Sequence, residues 1–179
     1  AGIIRGAYQY FEPADDALEQ AKLFVDKINA AGGFEEGDLP GVIDVEKMGT
    51  ANAAQIQAMV HTWIDYVEEK TDLDVIAIAD HDTIDGALEA RELCQKGGYS
   101  FEVVVAEEVS TLSGHLLALD ISKIVRMYQS LEKTMADIRA QGGLAVIPHP
   151  LAWYSSGLRR WRIEDVVRKR AYSFDGMET

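Results

Sequence analysis

The sequence predicts an α/β protein with a mainly parallel sheet or partial barrel and one β-hairpin, and three observations predict it. Short β-branched apolar runs alternate with segments of helical period along the chain. Most of these runs end in acidic or histidine residues rather than in plain turns. Ser113-Gly114, set between apolar stretches, marks the hairpin.

Ile3 to Phe11 is the first strand candidate, closed by Pro13. From Asp15 the period becomes helical, with Leu18, Ala21, Val25 and Ile28 on one face and Gly32-Gly33 as the stop. Val42-Ile43-Asp44-Val45-Glu46 is a second strand ending in paired carboxylates. Asn52 and Gln55 have the spacing of a capping box, and the helix they open buries Ile56, Val60, Trp63, Ile64 and Val67. His61 falls on the opposite, solvated side with Gln57, Asp65 and Glu68.

The central run is Val75-Ile76-Ala77-Ile78-Ala79, which fits a strand buried on both faces of a parallel sheet. Asp80-His81-Asp82 follows at its end, on a strand-to-helix corner where such sheets and barrels bind ligands. The next helix carries Ile84, Ala87, Leu88, Arg91 and Cys94 and stops at Gly97-Gly98. Phe101 to Val109 is a strand ending in Glu107-Glu108, and His115 to Leu119 pairs back on it. Ser122 to Gln129 is open to two readings, with Ile124, Val125 and Tyr128 at helical spacing. Ser130 caps a helix through Met135 and Ile138, ended by Gly142-Gly143. Leu144 to Ile147 is a further buried strand, closing on Pro148-His149-Pro150. The basic tail, Arg159 to Arg170 with Trp161, Val166 and Val167, reads as an amphipathic helix with a solvated face, and Phe174 to Glu178 as a last strand.

A chain of 179 residues supports one good core, or two small units fused. Its net charge of −13 argues against nucleic acid or an anionic membrane as partner, and suits a cation. Cys94 is the single cysteine and reads as core filler. No run is long enough to span a bilayer and no signal peptide opens the chain, so the expectation is a soluble protein of unassigned compartment. If the strands are parallel, Asp44, Glu46, Asp80, His81, Glu107, Glu108 and His149 share one rim.

Two family resemblances occupy different parts of the chain. Arg5-Gly6-Ala7-Tyr8, Phe11, Pro13, Asp38-Leu39-Pro40, Val42 to Glu46 and Thr62 to Val67 make residues 1 to about 70 resemble a glycoside hydrolase family 25 lysozyme. That resemblance implies an irregular α/β barrel and a catalytic Asp44/Glu46 pair with Glu46 as acid. From about Asp72 on, the chain resembles a PHP-domain metal-dependent phosphoesterase. The motifs that carry it are Ile78 to Thr83, Glu107 to Thr111, Gly114 to Leu117 and Gly142 to Pro150. This second resemblance implies His81, Glu108, His115 and His149 as ligands of a multinuclear metal centre, with Asp80 beside them.

Neither resemblance is complete: the first lacks an opening strand with its own aspartate, the second its His-x-His strand and its closing Asp-x-His. The combination implies an engineered chimera, a single recombined α/β domain joined near Thr71-Asp72, without evolved catalytic activity. A metal-dependent phosphoesterase is the alternative. The join puts Asp44 and Glu46, i and i+2 on one strand and about 7 Å apart, where the second family carries its histidines. Three imidazoles with carboxylates suit zinc, manganese or iron. Open sheet edges imply self-association as a homodimer.

Overall fold

The computed structural model describes residues 6–35, 38–45, 49–71, 75–97, 101–152, 156–169 and 172–178. Within them the chain runs β1 (Tyr8–Tyr10), α1 (Ala17–Ala30), β2 (Gly41–Asp44), α2 (Ala53–Lys70), β3 (Val75–Ala79) and α3 (Asp85–Gly97). It continues through β4 (Glu102–Thr111), β5 (Gly114–Leu119), α4 (Leu131–Ala140), β6 (Leu144–Ile147), α5 (Arg160–Lys169) and β7 (Gly176–Met177). This is the alternation the sequence predicts.

The seven strands form one curled sheet in chain order, from β1 to β7. All neighbours are parallel except β5, which pairs antiparallel with both β4 and β6. The curl brings the two ends together, since a Cβ built on Gly176 of β7 would lie 2.7 Å from Leu39 Cδ1, just before β2. Small and aliphatic residues fill the concave face, among them Val42, Ala77, Ala79, Ala106, Leu117, Leu119 and Val146. The convex face buries Ile43, Ile76, Ile78, Val103, Val105 and Leu116 under the helices.

The starts of α2 and α4 follow the capping chemistry read from the sequence, and α1 has a cap not named from it. Asn52 and Gln55 form a reciprocal capping box on α2, and the Asp16 and Ser130 side chains cap α1 and α4. Trp63 of α2 is fully buried, packs tilted against Phe24 of α1 with ring centroids 4.8 Å apart, and donates its indole N–H to Gln9 Oε1 at 3.0 Å. That one residue therefore ties both helices to β1.

Two expectations need correction, at Leu18 and at the apolar residues of α5. Leu18 is exposed on α1, whose buried face is carried by Ala17, Gln20, Ala21, Phe24, Val25 and Ile28. The stretch 122–129, open to two readings in the sequence, forms no helix, because its backbone groups are engaged elsewhere. Val125 N–H donates to Glu107 Oε2 at 2.7 Å, Tyr128 N–H to Ser110 O, and Leu112 N–H to Gln129 O. In α5 only Val166 is buried, while Trp161 and Val167 lie in solvent. The basic face of α5 is otherwise solvated as expected, Arg160 and Lys169 making exposed ion pairs with Glu164 and Asp165, while Arg162 turns inward to Glu132, Asp165 and Ser113 Oγ. The strand expected over Ile3 to Phe11 is described only as Tyr8–Tyr10, residues 1–5 lying outside the described residues.

Candidate metal centre

Side-chain alternation along the strands decides which polar termini meet. Residues two apart share a face, so Asp44 follows Val42, His81 follows Ala79, and Glu108 follows Ala106 onto the concave side. His115 precedes Leu117 and Leu119 on that same side. Glu107 and Asp80 fall on the other.

Glu108 is the hub and is completely buried. Its Oε1 lies 2.6 Å from His115 Nδ1, 3.6 Å from His81 Nε2 and 3.5 Å from His149 Nε2. The imidazoles stand edge to face, with ring centroids 4.4 Å apart for His81 and His115 and 5.5 Å for His115 and His149. Burial alone would raise the Glu108 carboxyl. The His115 hydrogen bond and the charge of the three histidines outweigh it and hold the carboxyl below its usual range. The Tyr8 hydroxyl lies between two carboxylate oxygens, Glu108 Oε2 at 3.1 Å and Asp44 Oδ2 at a shorter distance, and shares its one proton between them. Desolvation, then the charges of Asp44 and Glu108, push the Tyr8 phenol far above its usual value, so it stays a neutral donor.

The backbone around this hub is tightly specified. Glu108 N–H donates to Asp80 O at 3.0 Å, and Asp82 N–H to Glu108 O at 3.2 Å. Asp82, at φ 53°, accepts from Ser110 N–H at 2.8 Å. His149 is also left-handed, at φ 29°, and its N–H donates to Glu178 Oε2. Such non-glycine conformations persist only where surrounding contacts over-determine them. Gly114 precedes His115 at φ +130°, and a Cβ there would lie 2.7 Å from Ser156 O. Gly157 comes equally close behind His149, a Cβ there lying 2.5 Å from His149 O.

Of the residues expected on the rim, His81, Glu108, His149 and Asp44 therefore converge, and they are joined by His115, expected as a metal ligand. Asp80 accepts from His81 N–H at 2.7 Å and lines a separate cavity of about 310 Å³ between α2 and α3. Glu46 lies outside the described residues. Glu107 packs on the convex side, where burial raises its carboxyl to about 7. Two members of the site were not singled out as site residues by sequence reasoning. Tyr8 reaches in from β1, and its place in a strand with alternating faces is the one signal that could have pointed to it. Glu178, beyond β7, is raised to about 8 by burial and then by Glu108, and carried no signal.

One ligand atom each from His81, Glu108 and His115 lies within 4.8 Å of the others, the spacing a single ion would bridge. The donor set fits a borderline divalent ion, with partly exposed imidazoles around one oxygen of the buried Glu108 carboxylate.

The sequence profile of glycosyl hydrolases family 25 matches residues 1–93, just over half of the 179. The chain belongs to this family. The matched span runs past the expected junction at Thr71-Asp72 and takes in β3, the Asp80-His81-Asp82 corner and much of α3. Among curated proteins, "Uncharacterized protein YegX" of Escherichia coli O6:H1 is 40% identical over 70 residues, which is 39% of this chain and 24% of YegX. YegX of strain K12 gives the same identity over the same length. "Uncharacterized protein MJ1587" of Methanocaldococcus jannaschii is 38% identical over 84 residues, 47% of this chain and 48% of that protein. The chain thus spans less than half the length of these relatives. No helix among the described residues is long and apolar enough to cross a membrane.

Proposed function

We propose that this chain is a recombined α/β protein whose concave rim binds a divalent transition metal, zinc, manganese or iron. In this reading its first part descends from a family 25 lysozyme. The part from about Asp72 on descends from a PHP-type phosphoesterase, and the union is artificial. The observation that carries the metal reading is the convergence of three imidazole nitrogens within 3.6 Å of one buried carboxylate oxygen, Glu108 Oε1. His81, His115, His149 and Glu108 would hold the ion. Bound there, a metal supplies Lewis acidity and a water of lowered pKa, the chemistry of phosphoester hydrolysis. The residues themselves provide fixed ligand geometry and a site closed by Tyr8 on one side. No nucleic acid or membrane partner belongs to this reading. Its two sheet edges, β1 and β7, make a homodimer the expected assembly, which light scattering coupled to size exclusion tests directly.

Family membership favours a second reading, residual muramidase chemistry at Asp44 and Glu46. Against it stands the complete burial of Asp44 beneath Tyr8, which removes that carboxylate from any polysaccharide.

Elemental analysis of the purified, untagged protein beside a His81→Ala/His149→Ala variant tests the proposal. Stoichiometric metal in the parent and its loss in the variant is expected; absence from both overturns the reading. Hydrolysis of bis(p-nitrophenyl) phosphate with added Mn²⁺ or Zn²⁺, set against turbidity loss of bacterial cell walls, separates the two chemistries.

A further inference from the structure

We propose that Tyr8 is a positioning residue of this centre, its hydroxyl turning the Glu108 carboxylate so that Oε1 faces the three imidazoles. The inference rests on the reading of the rim as a metal site.

Glu108 is sealed from water, so no solvent fixes its rotation. Its two oxygens divide their partners cleanly. Oε1 meets the three histidines, and Oε2 meets Tyr8 at 3.1 Å. The Tyr8 hydroxyl is anchored in turn by its short bond to Asp44 Oδ2. Asp44 is two residues beyond the register partner of Tyr8, Val42, and so lies diagonally across from it on the same face.

Tyr8 stands on β1 and Glu108 on β4, with β2 and β3 between them in the sheet. The phenol can cross because, toward the rim, β3 presents Ala77 and Ala79 to the concave face, both fully buried and too small to block it. The same ring stands edge-on to His149, with centroids 6.3 Å apart. Tyr8 thus touches both a carboxylate and an imidazole of the ligand set. Partners of this kind fix ligand orientation, and their loss typically weakens metal binding by 10- to 100-fold.

Tyr8→Phe keeps the ring against His149 and deletes only the hydroxyl. Zinc titrated against a chromophoric chelator should bind this variant roughly tenfold or more weakly than the parent. Its crystal structure should show Glu108 Oε1 turned away from His115 Nδ1. Equal zinc affinity in the two proteins, with only a lowered unfolding midpoint in the variant, would overturn the proposal and leave Tyr8 a packing residue. A Glu108 that keeps its place in the Tyr8→Phe crystal would overturn it too, whether or not zinc binds. If the parent itself takes up no zinc, the metal reading fails, and the variant's crystal structure still decides whether Tyr8 orients Glu108.

Discussion

Glu108 and His115 meet across the β4–β5 hairpin at 2.6 Å, as diagonal neighbours rather than direct partners, since Glu108 pairs with Leu117 and His115 with Ser110. A tight turn between Thr111 and Gly114 sets this register, and the register places both side chains on the concave face. A slip of one residue would send His115 to the convex side and dismantle the centre.

His115→Ala removes the closest partner of a fully buried carboxylate. Leaving that group under-satisfied costs about 1–3 kcal/mol, to be read as a fall in the urea midpoint of metal-free protein. The variant should also lose stoichiometric zinc by elemental analysis. Unchanged values of both would show that the pair is incidental.

Gly114→Ala tests the hairpin from its backbone. A Cβ at φ +130° and 2.7 Å from Ser156 O forces a displacement next to His115. The expected cost is about 1–3 kcal/mol of stability, together with weakened zinc binding. Gly142→Ala is the control: it also has a positive φ, but a Cβ there meets nothing within 4 Å. It should lose stability and keep its zinc affinity.

Trp63→Ala empties the packing between α1, α2 and β1. A loss of about 3–5 kcal/mol is expected, measured by urea denaturation. Trp63→Phe, which deletes the bond to Gln9 and part of the ring volume, should cost less.

Stability should also depend on pH through Glu107, which is fully buried and raised to about 7. The folded state holds this proton where the unfolded chain, titrating near its ordinary 4.5, has already lost it. Folded protein therefore binds more protons between those values, and stability falls as pH rises through that window. Glu178, raised to about 8, has the same sign. Urea midpoints in chelator-containing buffer should be lower at pH 8 than at pH 5. Glu107→Gln should flatten the part due to Glu107, its amide oxygen still accepting from Val125 N–H. A midpoint profile identical to that of the parent would rule Glu107 out as the source.

Much of the architecture was legible in the residues. The order of strands and helices follows from β-branched runs alternating with helical periods, and the capping box at Asn52 and Gln55 was visible as a spacing. The rim was legible as far as parallel strands align their C-terminal ends, which is why His81, Glu108 and His149 could be named together. The stretch 122–129 stayed open because helical spacing is a local signal, and the decisive contact, Val125 N–H to the buried Glu107, comes from β4. Trp161 and Leu18 misled because an apolar residue at the right period need not find a surface to cover.

By itself the sequence determined which segments are strands and which are helices, and which polar residues end the strands. Both are properties of near neighbours along the chain. Only the tertiary structure decided that Tyr8, Asp44 and Glu108, up to a hundred residues apart, meet at one point, and that Asp80 does not join them. That outcome depends on strand register and on the curl of the sheet, which are fixed by how all seven strands pack at once.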